Sequence, residues 1–162
     1  MTAGFAGARG EGRRFAVVVA RFNDFVTARL ARAAVATLHE HGVAEADVEE
    51  ITVPGAFEIP LAARRAAGSG RFHAVVCLGA VIRGETPHFD FVAAECARGV
   101  ADAGRDFGLP VIFGVLTTDN SEQAMARAGG AAGNKGRDAA LAALEMAELL
   151  ARWPAEWPEG AR

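Results

Sequence analysis

The sequence has no tyrosine, only two cysteines and a single lysine, and it lacks any unbroken apolar run of membrane-spanning length. Aromatics make up 7% of the 162 residues while hydrophobic residues make up 51%, so small aliphatic side chains must supply most of the packing. Alanine and glycine are abundant, which suits close approach of helices within a subunit or between subunits. The two thiols, Cys77 and Cys96, lie in apolar contexts with no metal-ligand spacing around them and read as buried, reduced side chains rather than a disulfide. Residues 1–14 contain no apolar stretch of signal-peptide length, and a span of roughly eighteen apolar residues is missing everywhere, which predicts a cytoplasmic protein. The formal charge of −3 comes from 17 basic and 20 acidic residues interspersed along the chain, so neither nucleic acid nor a membrane is expected as a partner.

What is present is an alternation of short β-branched runs with alanine-rich helical stretches. Phe15–Ala20 reads as a strand, followed by a helix from Phe25 to about His41 in which Val26, Leu30, Ala34 and Leu38 share one face, with Asn23 or Asp24 as its cap. Val48–Val53 gives a second strand ended by Pro54-Gly55, and Phe57–Ala67 a second helix ended by Gly68-Ser69-Gly70. Ala74–Ile82 and Val111–Leu116 are apolar throughout rather than alternating, the pattern of strands covered on both faces in a parallel sheet. Helices are expected over Asp90–Phe107, Ser121–Ala128 and Lys135–Arg152, the last ended before Pro154. Four βα units in series predict an α/β three-layer sandwich, a four-stranded parallel sheet flanked by helices in the flavodoxin-like manner, with right-handed crossovers. The expected domain covers 15–152, with residues 1–14 an N-terminal arm and 153–162 a C-terminal tail carrying Trp153 and Trp157.

Ligands of open parallel sheets bind beyond the carboxyl ends of the strands, so the residues after each strand carry the chemistry. Phe22 offers a flat face for a planar ring, although a core phenylalanine is the blander reading. Glu58, after Pro54-Gly55, either caps a helix or presents its carboxylate, with the Ala56 to Glu58 amides, to a polar ligand. Gly84-Glu85-Thr86 supplies a glycine, a hydroxyl and successive amides, the parts of an anion-holding concavity, without the Walker pattern. His88, two residues on, is the proton-transfer candidate, whereas His39, His41 and His73 read as structural or solvated. Arg127 and Lys135 flank the glycine-rich turn 129–134, where pairing with an anion is favoured over a Schiff base on the lone lysine and over solvated surface charge.

Four segments, Pro54-Gly-Ala-Phe-Glu-Ile-Pro60, Gly79-Ala-Val-Ile-Arg-Gly-Glu-Thr-Pro-His-Phe-Asp90, Gly114-Val-Leu-Thr-Thr-Asp119 and Gly133-Asn-Lys-Gly136, resemble the signature segments of lumazine synthases in order and spacing. The resemblance spans roughly Phe15 to Leu150, departing at Phe91, where a hydroxylated aromatic is common, and at Asn120-Ser121. It implies condensation of 5-amino-6-(D-ribitylamino)uracil with 3,4-dihydroxy-2-butanone 4-phosphate to 6,7-dimethyl-8-ribityllumazine, with neither metal nor organic cofactor. It further implies that Phe22 stacks on the pyrimidinedione, that Ala56, Phe57, Glu58, Ala80, Val81 and Ile82 cradle ring and ribityl chain, and that Phe113 closes the ring pocket. Glu85 and Thr86 would hold the phosphate, joined by Arg127, and His88 would carry protons, with Lys135 a further substrate-binding candidate. The implied assembly is a homopentamer, or an icosahedral capsid of sixty subunits, with Phe113, Arg127 and Lys135 reaching a neighbour's site and riboflavin synthase as a further partner. The rival expectations are a non-catalytic flavin- or lumazine-binding shell protein and a Lys135-dependent lyase.

Overall fold

A computed structural model of the chain describes residues 8–156, with side chains through Trp153; residues 1–7 of the expected arm and 157–162 of the expected tail lie outside that range. Strands β1 (Phe15–Ala20), β2 (Val48–Val53), β3 (Ala74–Ile82) and β4 (Val111–Thr118) form one sheet in the order β2-β1-β3-β4, parallel throughout. Helices α1 (Asp24–Glu40) and α5 (Lys135–Glu156) pack on one face, α2 (Ile59–Gly68) and α3 (His88–Phe107) on the other, and the short α4 (Ser121–Ala126) follows β4. The architecture is therefore the expected α/β three-layer sandwich.

Alternation along the strands divides the core in two. Phe15, Val17, Val76 and Leu78 face α1 and α5, meeting Leu30, Leu38, Ala140 and Leu144, all inaccessible to solvent. Ala16, Val18, Val75 and Cys77 face α2 and α3, meeting Ile59, Ala63, Cys96 and Val100. Each fully buried Val, Leu or Ile side chain contributes about 1.5–3 kcal/mol from removal of apolar surface, and the continuous burial of β1 and β3 makes them the stable centre of the sheet. Both thiols lie free in the α2/α3 core, as expected. Burial pushes the Cys96 thiol up to about 11, and burial, with Cys96 nearby, raises Cys77 further.

Several boundaries differ from expectation. The β4 strand continues through Thr117-Thr118 because these pair with Val81 and Ile82, and β-branched threonine fits a pleated ladder as well as an apolar residue does. Helix α3 begins at His88 rather than Asp90, and Ala56–Glu58 form a 3-10 turn ahead of α2. Helix α4 stops at Ala126, and Ala128–Gly130 pairs antiparallel with Gly133–Asn134, a hairpin made possible by positive φ at Gly129 and Gly133. Helix α5 extends to Glu156, through Pro154 and past the expected end at Arg152; so near the terminus a proline removes one hydrogen bond without ending the helix. Its start is capped by Asn134, whose Oδ1 accepts from the amides of Gly136 and Arg137 at 2.8 and 3.2 Å. Residues 8–14 rest on their own subunit, with Ala8 buried in the α1/α5 core and the Gly10 amide donating to the His41 carbonyl at 2.8 Å. Among the described residues, no helix is long and apolar enough to cross a membrane.

Candidate active site

In this strand order the chain turns from β1 to β2 on one side and onward to β3 and β4 on the other, so the loops after β1 and β3 diverge and leave a crevice between them. A cleft of about 710 Å³ lies there. The walls are tied together by backbone: Arg21 and Phe22 donate to the carbonyls of Val53 and Pro54 at 2.8 and 3.0 Å, which joins the end of β1 to the end of β2. Phe22 is 70% exposed, so it is a cleft wall and not a core residue.

Asn23 is the only non-glycine residue among the described ones with positive φ, at 62°. It precedes α1 without capping it through its side chain; instead its Nδ2 donates to the Ala80 carbonyl at 2.8 Å, fixing the β1 loop to the end of β3. The left-handed backbone is one that asparagine tolerates better than most residues. The wall after β2 passes through Gly55, which is extended. A Cβ placed there would stand 3.3 Å from Glu58 Oε2 and 3.9 Å from Phe22 Cβ, so the Glu58 carboxylate and the base of the Phe22 side chain flank the same glycine. The Glu58 side chain makes no capping hydrogen bond to α2, which leaves its carboxylate available to a ligand.

The third wall is the segment from β3 into α3. Among the described residues, the amides of Gly84, Glu85 and Thr86 donate to no protein acceptor. They immediately precede a helix of 20 residues whose amino end carries no side-chain cap. Free amides and a helix amino terminus together favour an anion. His88 is the first residue of α3, exposed, and lines the cleft beside Thr86.

The structure thus brings Phe22, Ala56, Phe57, Glu58, Ala80, Val81, Ile82, Thr86 and His88 to one cleft. Glu85 belongs to the same loop, between two lining residues, without lining the cleft itself. Phe113, Arg127 and Lys135 do not line the cleft of their own chain. Phe113 projects from edge strand β4 and is 42% exposed. Arg127 ends α4, with its Nη1 donating to the Gln123 carbonyl at 3.0 Å, and Lys135 is exposed at the base of the hairpin, its amide bonded to the Arg127 carbonyl at 2.9 Å. Sequence reasoning missed Asn23, Phe89, Phe91 and Val92 as cleft residues. For Phe91 and Val92 the signal was available: they stand three and four residues after His88, on the same helical face. Among the described residues, no cluster of three His, Cys, Asp or Glu side chains is placed to hold a metal ion.

The comparisons with known proteins agree with this geometry. The family model described as 6,7-dimethyl-8-ribityllumazine synthase matches residues 12–151. A curated protein of that name from Gemmatimonas aurantiaca (strain DSM 14586 / JCM 11422 / NBRC 100505 / T-27) is 59% identical over 144 residues, which cover 89% of this chain and 88% of the relative. The matched region contains all four β-strands, both faces of helices and every wall of the cleft, and the chain belongs to the 6,7-dimethyl-8-ribityllumazine synthase family.

Proposed function

We propose that the cleft condenses 5-amino-6-(D-ribitylamino)uracil with 3,4-dihydroxy-2-butanone 4-phosphate, releasing phosphate and water and giving 6,7-dimethyl-8-ribityllumazine for riboflavin biosynthesis in the cytoplasm. The observation that carries this reading is the convergence of an exposed aromatic face, a carboxylate and an imidazole, Phe22, Glu58 and His88, on one crevice with unpaired amides at its rim. Phe22 stacks on the pyrimidinedione. The Ala56 to Glu58 turn and Ala80 to Ile82 cradle the ring and the ribityl chain, with the Glu58 carboxylate accepting from its polar groups. The loop Gly84-Glu85-Thr86 holds the phosphate against the start of α3.

The reacting groups come from the substrates. An amine attacks the ketone and water leaves to form an imine, phosphate is eliminated and tautomerisation leaves a second carbonyl, and the second amine adds to that carbonyl and expels a second water as the ring closes. The protein's share is to hold the two reactants together, which converts a bimolecular encounter into an intramolecular one, and to move protons at each step. His88 stands beside the phosphate loop and inside the cleft, within reach of both partners, and imidazole gives and takes protons near neutral pH.

Phe113, Arg127 and Lys135 enter the site from a neighbouring subunit, Phe113 against the ring and the two cations against the phosphate. The exposure of Phe113 and Lys135 in a single chain supports this, as does the exposure of Phe57 in the 3-10 turn before α2 and of Phe91 on α3, 60% and 69%. Large aromatics left open in this number mark a surface covered in the assembly. A pentamer with shared sites, alone or as twelve pentamers closed into a sixty-subunit shell, covers them, and riboflavin synthase is the partner that consumes the product. The reading is tested by mixing the purified protein with both substrates and following lumazine fluorescence and released phosphate. Equal amounts of the two products are expected, and phosphate release without lumazine, or no reaction, would reject it.

A further inference from the structure

The loop Gly84–Pro87 has almost no hydrogen bonds of its own, yet it must present its amides in a fixed direction to hold an anion. What restrains it is the residue before it. The Arg83 amide continues the β3–β4 ladder by donating to the Thr118 carbonyl at 2.8 Å. Its guanidinium then makes contacts in three directions: Nε donates to Asp119 Oδ1 at 3.3 Å, Nη1 to Asp90 Oδ1 at 3.4 Å, and Cζ stands 4.3 Å from the centre of the Phe89 ring. Each of these partners is itself anchored. Asp119 is fixed through its amide, which donates to Gln123 Oε1 at 2.8 Å; Asp90 lies in the first turn of α3; and Phe89 packs against the α2/α3 core while lining the cleft.

We propose that Arg83 is a positioning residue for the anion-holding loop, clamping the end of β3 to the end of β4 and to the first turn of α3 so that Gly84, Thr86 and His88 face the cleft together. This rests on the reading of that loop as the phosphate holder. One exposed ion pair contributes little by itself, but a planar guanidinium held by two carboxylates and an aromatic face has its orientation set from three sides. The same geometry decides what Arg83 does not do. Its single positive charge faces two carboxylates, so it is compensated inside the protein and is not the cation that meets the phosphate.

The test uses the assembled full chain carrying Arg83→Gln, Arg83→Lys or Asp119→Asn, with KM measured for each substrate separately and inorganic phosphate titrated by phosphorus NMR. Arg83→Gln is expected to raise KM for the phosphate-bearing substrate by about tenfold, less than the roughly hundredfold cost of a full 1 Å misplacement, with KM for the pyrimidine changed by less than about twofold. Inorganic phosphate should weaken by a similar factor. Lysine keeps the charge but lacks the fork that reaches both carboxylates, so Arg83→Lys should behave like Arg83→Gln. Asp119→Asn decides between positioning and direct contact. A positioning arginine loses an anchor and phosphate binds more weakly, whereas an arginine that contacts the anion is released from a competing carboxylate and phosphate binds more tightly. Tighter binding, equal changes in both KM values, or a change confined to the melting temperature would overturn the proposal. Lumazine formation by the unsubstituted protein reads the reaction separately: without it but with Arg83-dependent phosphate binding, the proposed reaction fails and the clamp stands.

Discussion

Gly136 is the point at which the amino end of α5 presses on α1, and replacing it with alanine sets two effects of opposite sign against each other. Alanine is the better helix former by about 1 kcal/mol in a helix interior, and less at the second residue of α5. Against that, an added Cβ would be driven into the Leu30 carbonyl oxygen and would stand 2.7 and 2.8 Å from the carbonyl carbon and Cα of the same residue. These are backbone atoms in the middle of a 17-residue helix and cannot swing aside as a side-chain tip can. The helices must separate, and Leu30, Ala140, Ala143 and Leu144, buried at their contact, lose packing. Overpacking of this kind costs about 1–3 kcal/mol, which outweighs the propensity gain. For a chain of this size each 1 kcal/mol lowers Tm by roughly 2–4 °C, so Gly136→Ala should melt about 2–10 °C below the unsubstituted protein. Urea unfolding followed by circular dichroism, at one protomer concentration, reads the free energy directly. Gly84→Ala is the control, since a Cβ there meets nothing within 4 Å. Equal or greater stability of Gly136→Ala would refute the close contact and, with it, the position of the hairpin that carries Arg127 and Lys135.

Two further outcomes follow from the cleft and the core. His88→Ala should lower turnover by about 100-fold or more while leaving residual activity, because a positioned acid–base group contributes about 10²–10⁴-fold and proximity of the substrates survives its loss; steady-state kinetics reads this, and an unchanged kcat would remove His88 from proton transfer. In the alkaline range the buried thiols govern stability, since the chain has no tyrosine and one lysine. The folded-state Cys96 thiol is raised from 9.0 to about 11, so the folded protein holds the proton more tightly and its advantage is full below pH 9.0 and lost as pH rises toward about 11. Urea midpoints should fall across that window and fall less in Cys96→Ala; identical pH dependence in the two proteins would contradict the assigned cause.

Three strands out of four were legible to the residue, because β1 and β3 are apolar on both faces and β2 ends at Pro54-Gly55. The last two residues of β4 were not, since Thr117 and Thr118 resemble a polar loop until Val81 and Ile82 are seen beside them. The hairpin after α4 was hidden for a similar reason: glycine-rich residues have little strand propensity, and their pairing depends on positive φ at Gly129 and Gly133. In the cleft, the strand-end rule and the motif resemblance located Phe22, Glu58 and His88. Asn23 and Asp24 were both open as the cap of α1; Asn23 takes the cap position through its backbone carbonyl, but its left-handed backbone turns the side chain toward Ala80, a contact 57 residues away in sequence. Arg127 and Lys135 could be singled out by charge, whereas their distance from their own cleft depends on tertiary placement and was expected only through the family resemblance.

The central claim is that each site takes His88 from one chain and Arg127 from its neighbour. The direct test is complementation between two impaired chains, His88→Ala and Arg127→Ala, coexpressed in equal amounts and compared with each alone. If the site is shared, random assembly leaves about a quarter of the sites with both groups intact, and lumazine formation should return to about a quarter of the unsubstituted level. If both groups act within one chain, every site keeps a defect and the coexpressed protein should be no more active than the average of the two parents.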